Sequence, residues 1–535
     1  MERLSKEHAM PLDRQPAKPR WKALIVASGT NTKIWGMKGM YGVLLISLAG
    51  CAVGPDFVRP TPPSVDHYTQ GAEPTATIPA DGQTQHFAKG ATVLADWWRL
   101  FNSAKLDAVI NDAITGNPTL QAAQASLRQS QNNLRAGYGV FYPQLDASFD
   151  ATRQKYSPAH IGSSSPSSIF NLFTLSATVS YALDVFGGER RAVEGLQAQV
   201  DVQRATVLGT YLTLTGNIVN TMIAQAAYRE QIKTTEQIIG LQKEQIGITE
   251  TQARAGTVPY ANVLSLRSQL ASFEALLPPL KQKLSQAEHL LATLVGRAPA
   301  EWTPPQVDLS DFTLPGELPV TLPSELVRQR PDILAAEAEL HSASTEIGVA
   351  TAALFPNFTL NASYGQNNTS MNDLFKISGN FWSLGADVAA PLFNGGSLWF
   401  KRKAAIEGYQ QTLATYRQTV LGAFAQVADT LRALEHDAEA LHAQSQALKT
   451  AEEALRLIQA NYQAGVVNYL QILIANGQYH QARIGYLQAQ ALRLQDTVAL
   501  FVALGGGWRG ADEDKTDTAS AGGDTHPPPQ KKTMQ

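Results

Sequence analysis

The sequence predicts a mainly α-helical chain that also carries membrane β-strands, built as a duplicated helix–strand–strand–long-helix unit. Three observations predict it. The chain repeats itself once. Four segments alternate strictly between apolar and polar residues. Two long stretches contain no proline and carry a helical apolar seam.

The repeat is read by self-comparison. Asn117-Pro118 and the apolar residues Leu120, Ala122 and Ala123 align with Arg330-Pro331 and Ile333, Ala335 and Ala336, and Tyr142-Pro143 aligns with Phe355-Pro356, all at an offset of 213. Further on, Ala255-Gly256 with Val258 and Tyr260 aligns with Ala464-Gly465 with Val467 and Tyr469, and Leu264 and Gly296 align with Leu473 and Gly505, at an offset of 209. One change of offset marks one loop of different length. The organisation is then 1–50 a signal segment, 51–103 a lipidated N-terminal and equatorial segment, 104–296 the first repeat, 297–322 an equatorial linker, 323–505 the second repeat, and 506–535 a polar disordered tail.

Each repeat opens with a helix, over about 104–139 and 323–352, ended by the Tyr-Pro or Phe-Pro step. Two strands follow in each, over about 142–153 and 171–184, then 355–365 and 381–392. In the first, Leu145, Ala147, Phe149 and Ala151 alternate with Gln144, Asp146, Ser148 and Asp150. The other three behave alike, for instance Phe358, Leu360, Ala362 and Tyr364 against Asn357, Thr359, Asn361 and Ser363. Alternation over ~10 residues suits a strand with lipid on one side and a polar lumen on the other. A half-buried soluble hairpin alternates too. Aromatic residues cluster at two levels: Tyr142, Tyr181, Phe186, Phe355 and Phe393 at one, Phe170, Phe173 and Trp382 at the other.

The long helices come next. No proline occurs between Pro166 and Pro259, or between Pro391 and Pro527. Residues 189–252 alone give ~95 Å of helix at 1.5 Å per residue. In the second copy Ile406, Tyr409, Leu413, Tyr416, Val420, Ala423, Val427, Thr430 and Leu434 step 3,4,3,4, which is a heptad seam. Each long helix should end at its Ala-Gly pair, where glycine accepts the left-handed cap. Pro278-Pro279 breaks the first return helix, and the second has no counterpart.

Four lipid-facing strands cannot close a barrel by themselves, and an open edge is forbidden in hydrocarbon. Copies of the chain must therefore share one barrel. Two copies give eight strands and a filled interior; three give twelve and leave an opening.

Charge and cysteine narrow the class. Residues 1–50 carry eight Lys/Arg and three Asp/Glu, so the net −3 of the whole chain becomes −8 from Cys51 onward. No basic cluster suggests nucleic acid. The acidic excess fits either a cation-favouring conduit or ordinary solubility. Cys51 is the only cysteine, which excludes an internal disulfide. A charged stretch with Lys33 and Lys38 precedes the apolar run from Tyr41 to Gly50, the pattern of a signal peptide, with Met37 as an alternative start. Leu48-Ala49-Gly50-Cys51 resembles the lipobox of bacterial lipoproteins, in which the cysteine becomes the acylated N-terminus. Ala52 after it favours, in that family, sorting to the outer membrane. Motifs for metalloproteases, phosphate-binding loops and serine hydrolases are absent, so no enzyme activity and no cofactor beyond the Cys51 lipid are expected.

Taken together, Trp97-Trp98-Arg99-Leu100-Phe101, Asn117-Pro118, Arg330-Pro331-Asp332-Ile333, Ile347-Gly348, Phe355-Pro356, Pro391 to Gly396, Val427-Ala428-Asp429 and the two Ala-Gly tips resemble the TolC-type outer-membrane factors, in particular the NodT-like lipoprotein subgroup of efflux systems. The resemblance covers about residues 51–506. It implies a homotrimer with a twelve-stranded β-barrel continuous with a periplasmic α-helical barrel. It also implies a periplasmic adaptor and an inner-membrane RND-type pump as partners. By resemblance Asp429 would belong to an aspartate ring that gates the periplasmic tip, with Arg432 one turn on as a possible partner. A solvated surface pair is the alternative. Gly256, Val258, Tyr260, Gly465, Val467 and Tyr469 would form the adaptor-docking tips, or simply make the turns. A periplasmic coiled-coil adaptor, a structural lipoprotein, a passive porin and the outer-membrane channel of a protein-secretion system stay open as rival functions at this point.

Overall fold

The computed structural model describes residues 52–71, 73–157, 162, 164 and 166–507. The signal segment, Cys51 and the tail from residue 508 lie outside the described residues. In chain order the elements are β1 (His86–Lys89), α1 (Ala104–Gly116), α2 (Pro118–Gly137), β2 (Gln144–Tyr156), β3 (Ser168–Leu183), α3 (Gly188–Arg254), α4 (Tyr260–Glu274), α5 (Leu277–Val295), β4 (Glu317–Val320), α6 (Pro331–Ala352), β5 (Asn357–Asn368), β6 (Asn380–Ala389), α7 (Ser397–Gln463) and α8 (Tyr469–Ala503).

The first helix of each repeat is shorter than the sequence suggests. Residues 104–137 form two helices rather than one, because the residue before Pro118 is held extended (Asn117 φ −69°, ψ 119°). In the second copy a single turn at Pro323–Leu326 is likewise separated from α6 by Arg330 (φ −70°, ψ 126°).

The breaks have a purpose that both copies share. Asn117 Nδ2 donates to the carbonyl of Leu294, near the end of α5, while its Oδ1 accepts from the Leu120 amide. Arg330 Nη1 donates to the carbonyl of Ala503, the last residue of α8. Each aligned residue thus satisfies a carbonyl that the end of the return helix leaves unpaired, and the following proline starts the next helix. Gly296 and Gly505, with φ +82° and +88°, turn the chain away at the same junction. A Cβ on Gly296 would collide with the carbonyl oxygen of Gly116.

Helices α3 and α7 are 67 residues each, about 100 Å at 1.5 Å per residue. Helix α3 packs on α6, α2, α8 and α5; α7 packs on α8 and α6. The two repeats therefore interleave. The buried seam of α7 runs Tyr416, Val420, Ala423, Val427, Leu431, Leu434, Ala438 and Leu441. It corrects the sequence seam at one point: Leu431, not Thr430, follows Val427. A straight helix of 3.6 residues per turn drifts against a strict heptad, and an extra step of four restores the contact. The return path α4–α5 breaks at Ala275 and Leu276, with Pro278 and Pro279 in the first turn of α5, whereas α8 runs unbroken for 35 residues.

The largest core lies halfway along the long helices. Trp97, Phe101, Leu106, Ile110, Leu318, Val498 and Phe501 are fully buried there, and the Trp97 ring stacks on Phe501 at 5.3 Å. The residues Trp97 to Phe101 that carry part of the family resemblance are thus packing residues. Strand β1 pairs in parallel with β4, and this two-stranded sheet belongs to the belt around the helices. Arg493 of α8 is buried and binds the belt through Gln85 Oε1 (3.1 Å), Thr77 Oγ1 (3.2 Å) and the Gln83 carbonyl (3.3 Å).

Candidate functional site: sheet, helix tips and mid-helix carboxylates

Strands β2, β3, β5 and β6 form one antiparallel sheet in that order. Toward the connecting loops they run one to three residues further than alternation indicates, and toward the helices they stop one to three residues sooner. Register carries the important result. Ala147 faces Ala177, which faces Tyr364, which faces Trp382. Two residues along, Leu145, Val179, Ala362 and Leu384 form the next row. The four apolar sets share a single face. Side chains alternate across a strand, so a slip of one residue would have put half of them on the other face. That face is uncovered in the chain: Trp382 is 74% exposed and Leu384 77%.

The opposite face is polar. Ser148 and Ser176 share a hydrogen bond of 3.1 Å, Ser363 and Ser383 one of 2.7 Å, and Asn361 Nδ2 donates to Asp387 at 2.5 Å. Asp146, Asp150 and Asp387 all lie on this side by register. The outer ladder positions of β2 and β6 have no partner strand among the described residues. No described helix is long and apolar enough to cross a membrane.

At the far end of the long helices the two hairpin tips differ. Gly256 and Gly465 adopt φ +74° and +73°. Tyr260 is 58% exposed and Val258 half-buried. Tyr469, expected beside it as a docking residue, is only 7% exposed and packs with Ile246, Leu266 and Ile472. Burial pushes its phenol well above the usual range. The second tip instead presents Val466, 72% exposed, while Val467 is half-buried. Alternation could not separate the two tyrosines, because their burial depends on a contact between helices from different repeats.

Asp429 is not near the tip. Gln463 ends α7 34 residues further on, which is about 51 Å of helix. Asp429 is exposed at mid-length, in a groove shared with Asn217, Asn220 and Gln426. Its aligned position in the first repeat, near Asn220, therefore faces the same groove. Arg432 does not pair with it. Its Nη1 donates to Glu435 Oε2 at 2.7 Å and its Nη2 reaches Thr69 Oγ1 at 3.5 Å. The spacing of three residues serves Glu435 as well as it would Asp429, and here the partner lies toward the C-terminus.

Two clusters escaped sequence reasoning. Asp437 of α7 is buried, its Oδ2 has no hydrogen-bond partner, and the carboxyl of Asp496 on α8 lies near it. Burial first, and the neighbouring carboxyl second, push Asp437 up to about 8. Nearby, Asp81 of the belt accepts from Ser445 Oγ at 2.7 Å, and burial together with Asp81 pushes the Tyr486 phenol up to about 12. The second cluster fastens the start of the described chain. Arg191 donates to Asp56 at 2.5 Å and to Glu194 at 2.7 Å, His341 bonds Glu194 at 2.8 Å, and the Phe57 ring stacks on His341 at 4.4 Å. Arg59 pairs with Glu337 at 2.6 Å. The Val53 amide donates to the Phe186 carbonyl, so this strap begins where β3 leaves the sheet. Both clusters join residues far apart in sequence, and no local spacing signals them. Among the described residues no group of three or more His, Cys, Asp or Glu could hold a metal ion.

Known proteins of the same build exist. The model of the outer membrane efflux protein family matches residues 109–297 and 322–506, once per repeat. The pyoverdine export outer membrane protein OpmQ of Pseudomonas aeruginosa is 32% identical over 443 residues, covering 81% of this chain and 92% of that protein. The solvent efflux pump outer membrane protein SrpC of Pseudomonas putida is 28% identical over 468 residues, covering 87% and 97%. Among solved structures, the outer-membrane channel OprN superposes with a TM-score of 0.76 at 26% identity, covering 86% of this chain and all of that one. The CmeC channel of Campylobacter jejuni reaches 0.79 at 18% identity, a likeness of fold alone. The two-faced sheet and the interleaved long helices are accordingly the membrane and periplasmic parts of an export-channel protomer, and the chain belongs to the outer membrane efflux protein family.

Proposed function

We propose that the chain is the outer-membrane duct of a tripartite efflux system, working as a lipid-anchored homotrimer that passes small molecules outward without changing them. One observation carries the reading. A sheet with one continuous apolar face and two unpaired edges runs directly into 67-residue helices. Such edges must be paired inside a membrane, and three copies supply twelve strands around an opening. A periplasmic adaptor docks at the helix tips, through Gly256, Val258 and Tyr260 on one and Gly465, Val466 and Val467 on the other, and an RND-type inner-membrane pump supplies the energy. Relatives named for export of pyoverdine and of solvents support a cargo of small organic molecules.

Membership of the NodT-type lipoprotein subgroup belongs to the same proposal. Acylation of Cys51 is supported by the strap that follows it. Residues 53–59 are held to α3 and α6, and the first of them is bonded at the sheet–helix junction. The chain is thus fastened two residues after Cys51, as an anchor there requires. Purified protein should migrate as a detergent-dependent trimer, conduct ions in planar bilayers, and yield a mature N-terminal peptide that begins at an acylated Cys51. Monomers without conductance would defeat the duct reading, and an unmodified Cys51 would defeat the anchor.

A further inference from the structure

The four strands sort their charges by face. All three carboxylates, Asp146, Asp150 and Asp387, lie on the polar side. Both cations, Arg153 and Lys155, lie on the apolar side, continuing the row of Leu145, Ala147, Phe149 and Ala151 toward the loop end of β2. No other Lys or Arg occurs in the four strands.

The height of the two cations can be estimated. On β3 the apolar row extends from Leu183 to Phe173, ten residues, or ~34 Å along the strand. At a tilt of ~40° this spans about 25 Å, the height of the apolar band of a membrane barrel. Phe173 pairs with Ala151. Arg153 and Lys155 therefore stand about 5 and 10 Å above the band, at the level of the lipid headgroups. Among the described residues the Arg153 side chain makes a 3.4 Å hydrogen bond to Asn171 Oδ1 on the same face. Both side chains are exposed. Two cations above a lipid-facing row, with every carboxylate on the other side, complement an anionic headgroup rather than water alone.

We propose that Arg153 and Lys155, with Asn171 beside them, bind the phosphate groups of the phosphorylated glycolipid in the outer leaflet. The guanidinium presents a fork to one phosphate and the ammonium a point charge to the same or the next. The site rests on the reading of β2 and β3 as membrane-spanning strands.

The test uses the full-length protein in lipid nanodiscs, titrated with bisphosphorylated lipid A and with its dephosphorylated form. Binding is read by native mass spectrometry, and planar-bilayer conductance is measured on the same preparation. The wild type should bind the phosphorylated form about tenfold or more tightly than the dephosphorylated one. The double variant R153Q/K155Q should lose that preference. R153K/K155R should keep most of it, and so should K376Q, which removes a loop cation paired with Asp373 at 2.6 Å. Conducting protein that shows no preference, or R153Q/K155Q that keeps it, overturns the glycolipid site alone. Displacement by millimolar inorganic phosphate also overturns it, because the pair then reads free phosphate rather than a headgroup. Loss of conductance in the wild type overturns the membrane reading together with the site.

Discussion

Asp437 carries a pH dependence whose sign follows from its surroundings. Its folded-state value, raised to about 8, lies above the ordinary aspartate range by burial and by Asp496, with Arg493 opposing. Protonated, Asp437 is buried on α7 without a charge facing Asp496 of α8. Its contribution is complete below the unfolded value of about 4 and is lost as pH rises through about 8. Asp437→Asn is neutral at every pH. The variant should melt about 2 °C or more above the wild type at pH 8 and together with it at pH 4, read by circular dichroism in detergent. Equal melting at both pH values would mean that burial does not hold Asp437 protonated. Asp429 gives the opposite expectation from the one its motif suggests. An exposed carboxylate about 51 Å from the tip cannot close that tip, so Asp429→Ala should leave single-channel conductance unchanged. An increase would return the gate to this residue. The motif around Asp429 was legible in the sequence, and so was its height, because the expected end at Ala464-Gly465 lies 35 residues on. The resemblance supplied the residue without that distance.

The elements were the most legible part of the chain. Alternation located four strands, proline-free stretches located two long helices, and self-comparison fixed their order. The splice between α5 and α2 was hidden, because it joins residues 177 apart, Asn117 and Leu294. Its energetics can be compared with a glycine of similar backbone but different surroundings. Gly256 at the tip has φ +74° and open space around a Cβ, so Gly256→Ala should cost only the left-handed strain of about 1 kcal/mol. Gly296 has φ +82°, and a Cβ there meets the Gly116 carbonyl and, at 3.1 Å, Pro118 Cδ. Gly296→Ala should therefore cost about 2–4 kcal/mol, strain and overpacking together. Urea denaturation of the two variants measures the difference. Equal midpoints would show that the splice relaxes and does not set the packing of α5 on α1.

At the scale of the assembly, the decisive feature is the pair of open edges. In water an exposed β-edge invites aggregation; in hydrocarbon it is excluded, since each unpaired backbone group costs several kcal/mol. The chain runs β2 and β6 in opposite directions at the two ends of its sheet. Rotation about one axis therefore brings β2 of one copy against β6 of the next with the antiparallel sense preserved. The apolar rows then continue around the barrel, because both edges expose them on the same face: Leu145, Ala147 and Phe149 on β2, Trp382, Leu384 and Val388 on β6. The number of copies is the remaining quantity, and oxidative cross-linking counts it. With Cys51 replaced by serine, Leu384→Cys is combined in turn with Ala147→Cys, Phe149→Cys and Ala151→Cys, since one of three positions two residues apart must fall within reach of a disulfide, about 4 Å between Cβ atoms. One combination should give a ladder on denaturing gels that stops at three protomers, while the single-cysteine variants stay monomeric. A ladder ending at two would mean eight strands and a filled interior, which would leave the 67-residue helices attached to a barrel with no bore.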